Sequence, residues 1–129
     1  MTVTMQKDYT DLVQSPNAAE ALAWLSEAND SEERTISGGD GSETAWLVDE
    51  ATDIVKELYA FGSACVTAVK IDGLLEGATH QDTSTLIVEL PQDRGKRASL
   101  FAWGAGFARG TGWEPAADEG QKHLLVWRD

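Results

Sequence analysis

Two β-rich stretches, ACVTAVKI at residues 64–71 and TLIVEL at residues 85–90, decide the fold class that this sequence favours. Short runs rich in Val, Ile and Thr, bounded by turn residues, are typical of β-strands. Successive side chains of a strand point to opposite faces, and neither face of these two stretches is plainly polar. We therefore predict two neighbouring strands in a sheet that carries apolar side chains on both of its faces.

Helices and a further strand are predicted on either side of these strands. A helix from about Glu50 to Phe61 ends at Gly62, a residue that suits the position after a helix C-terminus. A second helix follows Asp93, which is a good N-cap, and runs over residues 94–109. Residues 122–127 are predicted to form the last strand.

Residues 44–48, with the sequence TAWLV, distinguish two versions of this element order. If they form a strand, the order is β-α-β-β-α-β, which is that of a ferredoxin-like antiparallel sheet with two helices on one face. The apolar residues at 47, 51, 54, 58 and 61 also follow helical spacing, which favours a longer helix that absorbs this strand. Both versions are α+β sandwiches, and the ferredoxin-like one is our first expectation.

The N-terminal third of the chain has a different composition. A helix is predicted over residues 16–28, with Ser15 as its N-cap, and residues 30–43 form an acidic, glycine-rich linker. We therefore divide the chain into residues 1–43, helix and linker, and residues 44–129, the α+β domain. A ferredoxin-like layout leaves the second sheet face open, so the N-terminal helix or a second copy of the chain is expected to cover it.

The charge is negative and unevenly distributed. Ten Lys and Arg against 22 Asp and Glu give a net charge of −12, and the first 64 residues hold 13 acidic and only 3 basic side chains. A charge of this sign disfavours direct binding to nucleic acid and favours a basic protein partner. The contact residues that we select, from the acidic linker and one loop, are Glu32, Glu33, Asp40, Glu43 and Trp113.

Motifs for catalysis are missing from the sequence. It has no phosphate-binding loop and no Gly-x-Ser-x-Gly motif, and its single cysteine, Cys65, has no neighbouring cation to activate it. Residues 1–8 do not resemble a secretory signal, and no apolar run is long enough to cross a membrane. We therefore expect a cytoplasmic binding or regulatory domain that has no catalytic activity, needs no cofactor and does not contact membranes, with a homodimer as one form.

The alternative is a small-molecule or divalent-metal site in the loop over residues 72–83. One imidazole and three carboxylates are close in sequence there, and together these groups bind divalent ions; they are Asp72, Glu76, His80 and Asp82. A weaker candidate is an anion site at the start of the second predicted helix, where Arg94, Lys96 and Arg97 follow the cap.

Overall fold

The computed structural model describes residues 9–28, 33–36, 46–73, 79–111 and 117–127. Their elements, in chain order, are α1 (Thr10–Val13), β1 (Ala19–Glu20), α2 (Ala21–Ser26), β2 (Glu33–Ile36), α3 (Val48–Ala60), β3 (Cys65–Val69), β4 (His80–Thr83), β5 (Thr85–Glu89), α4 (Arg94–Thr111) and β6 (His123–Trp127). The α+β fold class is confirmed. Within these ranges, no helix combines the length and the apolar character that a bilayer crossing requires.

The main sheet has four strands in the order β1-β3-β5-β6, and every neighbouring pair is antiparallel. Val66 lies opposite Val88, and Leu86 lies opposite Val126, so the apolar positions of adjacent strands share one face. This face meets α2, α3 and α4 in a single core, because the alternation along each strand places only apolar side chains on this side. The strands predicted at 64–71, 85–90 and 122–127 are therefore confirmed, with slightly shorter bounds.

The second face of this sheet is largely covered, whereas a ferredoxin-like layout would leave it open. Val69 and Ile87 on that face are 0% and 1% exposed, and His123 is 2% exposed. The short helix α1 packs against β3, and the backbone N–H of Tyr9 donates to Nδ1 of His123 at 3.1 Å. The residues just before the predicted N-terminal helix thus contribute to covering this face.

A separate two-stranded ribbon joins regions that we predicted to lack regular structure. β2 lies within the predicted linker and β4 within the predicted loop 72–83, and they pair in parallel with Thr35 opposite Asp82. Arg34, Thr35 and Ile36 are buried, as are Gln81 and Thr83. Both expectations were wrong here because each segment is too polar to indicate a strand by itself, and its pairing partner is distant in sequence.

The ferredoxin-like order is also not the arrangement observed. It needed residues 44–48 as a strand of the main sheet, but Trp46 forms only an isolated bridge with Ile36, and α3 begins at Val48. The short strand β1, which lies before the predicted domain, occupies the edge beside β3. Within the described residues, the alternative with an earlier helix start is closer to the structure.

Helix ends follow the capping residues in two of three cases. The helix predicted from Ser15 begins instead at Ala21, because the two carboxylate oxygens of Glu20 accept the N–H groups of Leu22 and Ala23. Gly62 ends α3 with a φ of +107°, a conformation that favours glycine. Asp93 caps α4 as predicted, since its Oδ1 accepts the N–H of Lys96 at 2.8 Å.

Close packing at Gly104 brings α4 onto the sheet. A Cβ atom at this position would lie 3.3 Å from Cδ2 of Leu124 in β6, so the glycine allows the two backbones to approach. Gly106, two residues further along the same helix, is exposed. The predicted boundary between residues 43 and 44 stays a prediction, although β1 and β2 precede it and pair with β3 and β4, which follow it.

Candidate functional site

The exposed side of α3 combines acidic and apolar side chains. The helix rests on α2, β2 and β3 through Ala51, Val55 and Leu58, which are all fully buried. We call the exposed surface of this helix and its two caps the outer face of α3, and its exposed acidic and large apolar members are Leu47, Asp49, Glu50, Asp53, Glu57 and Phe61. A helix of 13 residues is about 20 Å long, so this face is an elongated strip.

One row of the outer face is acidic along its whole length. Asp49, Asp53 and Glu57 are spaced by four residues, which places them one above the other on a helix. Lys56 is also exposed and is the only base within α3, against four acids. Like charges at this spacing repel each other, so the row is not an optimum for the stability of an isolated helix. A cationic partner would relieve this repulsion.

Two exposed apolar side chains lie at the two ends of α3, to one side of this acidic row. Leu47 is 56% exposed and Phe61 is 38% exposed, and they are the only exposed large apolar residues among those whose burial the structure describes. Leu47 is the N-cap of α3 and Phe61 is its C-cap, and Ile54, which is half-buried, lies seven residues from each. Single exposed apolar residues are ordinary, but their restriction to one acidic helix is not.

This face was missed as a site in the sequence, where Leu47 and Phe61 were assigned to the apolar helical spacing. The side chains that pack inward instead follow the row Ala51–Val55–Leu58. The four-residue spacing of Asp49, Asp53 and Glu57 was the available signal. It becomes informative only once the start of the helix at Val48 is known, because residues 44–48 were also consistent with a strand.

Of the partner-binding residues predicted from sequence, only Glu33 lies within the described residues. It is exposed at the start of β2, and its backbone N–H donates to the carbonyl of Thr79 at 2.9 Å. The remaining four, Glu32, Asp40, Glu43 and Trp113, lie outside the described residues. Glu33 belongs to the ribbon and not to α3.

The predicted metal residues are partly brought together by the β2–β4 ribbon. The Thr35 hydroxyl donates to Oδ1 of Asp82 at 2.6 Å, and Nε2 of His80 lies 2.8 Å from the same hydroxyl oxygen. Since a hydroxyl has one hydrogen, this geometry makes Nε2 of His80 the donor to Thr35. Asp72 pairs with Asp82 only through backbone atoms, and Glu76 lies outside the described residues.

This geometry does not bring metal ligands together. Within the ranges that the structure describes, no three His, Cys, Asp or Glu side chains are grouped so that they could hold one ion. An Nε2 atom that donates a hydrogen bond has no lone pair for a metal. His80 and Asp82 therefore contribute to the ribbon through Thr35.

The predicted anion cluster is divided among different contacts. Arg97 forms two hydrogen bonds with the Asp118 carboxylate, at 2.7 and 3.1 Å, and it also donates to the carbonyls of Pro91 and Gln121. These contacts from Arg97 hold the pKa of Asp118 below its ordinary value. Lys96 is exposed, but its aliphatic chain lies over Gly62. Arg94 is exposed at the first position of α4. The guanidinium group of Arg97 is thus already engaged within the protein.

A hydrogen-bonded group links the edge strand β1 to α3 and β3. The Tyr59 hydroxyl donates to Oε2 of Glu20 at 2.6 Å and accepts the N–H of Val66 at 3.0 Å. Burial, the bond to Glu20 and the nearby charges raise the pKa of Tyr59. Burial acts to raise the pKa of Glu20 as well, but its hydrogen bonds from Tyr59 and from the start of α2 hold that pKa below its ordinary value. Cys65 lies 4.0 Å from the Tyr59 oxygen and is a free thiol.

Comparisons of the chain with protein-family models, with curated proteins and with solved structures found no match. The arguments for function therefore come from the residues and contacts described above.

Proposed function

We propose that this chain is a small cytoplasmic binding domain, without catalytic activity, that recognises a basic protein through the outer face of α3. The observation that carries the proposal is the location of Leu47 and Phe61. Among the residues whose burial the structure describes, exposed large apolar side chains occur only at the two ends of the acidic helix. Apolar anchors contribute affinity at protein interfaces, while surrounding charges set partner choice and the rate of association.

The acidic row indicates the sign of the partner's charge. Asp49, Asp53 and Glu57 are exposed and lie within the acidic half of a chain with a net charge of −12. Long-range attraction to a basic surface would accelerate encounter and would weaken as salt screens it. The exposed surface of one helix is small, which places the complex among weak and transient interactions.

The proposal is tested by capturing proteins from a lysate of the source organism at low and high salt, followed by mass spectrometry. The variant D49N/D53N/E57Q removes three charges from the outer face of α3. The matched control D11N/D72N/E119Q removes three exposed charges from other parts of the surface. Both variants must keep the free energy of unfolding of wild type to within about 1 kcal/mol, which we expect because substitutions at exposed positions usually have small effects on stability.

We expect a basic protein that wild type and the control retain at low salt, that is lost at high salt, and that the α3 variant does not retain. Retention of the same proteins by all three forms would contradict the proposal. Glu33→Gln, made separately, tests the one described residue that the sequence selected for partner binding.

The alternative, a divalent-metal or small-molecule site around Asp72, Glu76, His80 and Asp82, is the less well supported proposal, because His80 and Asp82 are directed to Thr35. It predicts a saturable, stoichiometric binding event in a calorimetric titration with Zn²⁺, which His80→Ala abolishes. If no heat of binding is detected, or if His80→Ala leaves it unchanged, this site is excluded.

A further inference from the structure

We infer that the partner element that binds the outer face of α3 is a basic amphipathic helix, which packs along α3 with apolar residues at heptad spacing. This inference rests on the proposed function, and it adds the shape of the partner to the sign of its charge. It is carried by the repeat of apolar positions along α3, a feature that is independent of the acidic row.

The apolar positions repeat every seven residues. Leu47, Ile54 and Phe61 occupy one edge of the outer face, with Leu47 and Phe61 at the two caps and Ile54 half-buried midway. Seven residues of α-helix advance about 10.5 Å and complete nearly two turns, so positions at this spacing stay on one side. A pair of packed helices uses two apolar positions in each heptad, and α3 presents one of them, because the positions four residues further on, Ala51 and Leu58, are buried in the protein's own core.

An extended strand would not match these positions. Side chains on one face of a strand recur about every 6.8 Å, which does not coincide with an apolar repeat of about 10.5 Å along α3. A helix with its own apolar heptads does match it over the full length from Leu47 to Phe61. Binding by an amphipathic helix is also one of the recurring modes of peptide recognition.

Acidic side chains lie between and beside the apolar positions. Glu50 and Glu57 lie three residues after Leu47 and Ile54, which places them on the same edge of the helix. In a pair of packed helices, residues that flank the apolar seam contact charged side chains of the partner. Lys and Arg at those positions of the partner would complement Glu50 and Glu57, and acidic residues there would be repelled.

A second copy of this chain does not fit the same face. In a symmetric dimer the outer face of α3 would meet itself, and four acids would face four acids with only Lys56 to offset them. Opposed like charges at an interface are strongly unfavourable. The charge pattern therefore selects a different chain, one that bears basic residues.

The test uses the full chain and three fluorescein-labelled peptides of about 21 residues, or three heptads. The first peptide has leucine at both apolar heptad positions and lysine around them. The second has the same composition, scrambled so that no apolar face forms on a helix. The third keeps the first pattern and has glutamate in place of lysine. Binding is followed by fluorescence anisotropy at low and high salt, and peptide helicity by circular dichroism.

We expect the first peptide to bind about tenfold more tightly than the second and to gain helicity on binding, and the third not to bind. The variant L47S/F61S should remove the preference for the first peptide and leave a weak, salt-sensitive binding of both lysine peptides. The control variant A98S/A102S, at exposed positions of α4, should bind as wild type does.

Three results would overturn the inference. If the first two peptides bind equally well, and both lose binding in D49N/D53N/E57Q, the domain recognises positive charge and not a helical partner. If the first peptide does not bind, the partner element is not a basic amphipathic helix. The proposed function is tested separately by the capture experiment. A dimer in sedimentation equilibrium that L47S/F61S dissociates would show that a second copy occupies this face.

Discussion

The main sheet and the β2–β4 ribbon are built from different kinds of side chain. The inward face of the main sheet is apolar at every pair, as where Val66 opposes Val88. The ribbon buries polar groups: the Trp24 indole donates to Oε1 of Gln81 at 2.8 Å, and Arg34 donates to the carbonyl of Trp24 at 2.7 Å. Burial of apolar area stabilises any close-packed arrangement, whereas a buried polar group stabilises only the arrangement that supplies its partner.

This difference explains why one region could be recognised from the sequence and the other could not. Alternation of apolar residues is local, so β3, β5 and β6 could be located from short windows. Arg34 and Gln81 are 47 positions apart in the sequence, although they lie opposite each other in the ribbon. No short window contains both, and each looks like an ordinary surface residue by itself.

The largest effect is expected in the main sheet. Leu86→Ala removes a fully buried side chain from the core and should lower the free energy of unfolding by about 2–5 kcal/mol. Denaturant unfolding followed by tryptophan fluorescence measures the loss. The exposed Leu47→Ala is the matched control and should change stability by less than about 0.5 kcal/mol. Similar losses for the two substitutions would show that the sheet core is not packed as described.

A smaller effect is expected in the ribbon. Gln81→Met keeps the side-chain length but leaves the buried Trp24 N–H without this acceptor, which should cost about 1–3 kcal/mol. Trp24→Phe removes the donor instead. The double variant should lose less stability than the sum of the losses in the two single variants, because the hydrogen bond can be lost only once. Strict additivity would indicate that the bond contributes nothing to stability.

Glu20, which lies in β1 and caps α2, should contribute about 1 kcal/mol to the free energy of unfolding in a pH-dependent manner, within the range of helix-capping residues. The pKa of Glu20 is below its ordinary value of 4.5 in the folded protein, so the unfolded chain binds the proton more readily. Stability from this group is therefore complete above about pH 4.5 and is lost as the pH falls through the folded pKa. Unfolding measured from pH 7 to pH 3 should show a shallower decline for Glu20→Gln than for wild type.

Tyr59 gives the opposite dependence at alkaline pH. Its pKa is raised from 10.0 in the folded protein, so the unfolded chain loses the proton first. The contribution of Tyr59 is present below about pH 10 and decreases as the pH rises further. Tyr59→Phe should remove this alkaline decline and weaken the acid decline as well, because Glu20 loses a hydrogen-bond donor. If the loss of stability at acid pH is the same in Tyr59→Phe as in wild type, the hydrogen bond from Tyr59 does not lower the pKa of Glu20.

The smallest effect is expected at the Arg97–Asp118 ion pair. Asp118→Asn should lower the unfolding midpoint slightly at low salt, and the difference from wild type should shrink at high salt because exposed pairs are screened. The amide can still accept the N–H of Gly120, so the turn is retained. A salt-independent difference would show that the pair acts through packing of Arg97 on Phe101 and not through charge.

The sequence alone determined the local features of this protein. Runs of β-branched residues located β3 and β5, a short apolar run located β6, and Asp93 and Gly62 marked helix ends, because strand alternation and capping depend on neighbouring residues. The acidic character of the first half was likewise evident from composition, although its arrangement on α3 was not.

Only the tertiary structure decided how these pieces pair and which surfaces remain exposed. It placed β1 beside β3, joined β2 to β4, and covered the second face of the sheet. It also left Leu47 and Phe61 exposed, although their spacing was compatible with a buried face. The reason is physical: burial and long-range pairing depend on side chains far apart in the chain, and polar segments such as β2 become strands only when the partner supplies their hydrogen bonds.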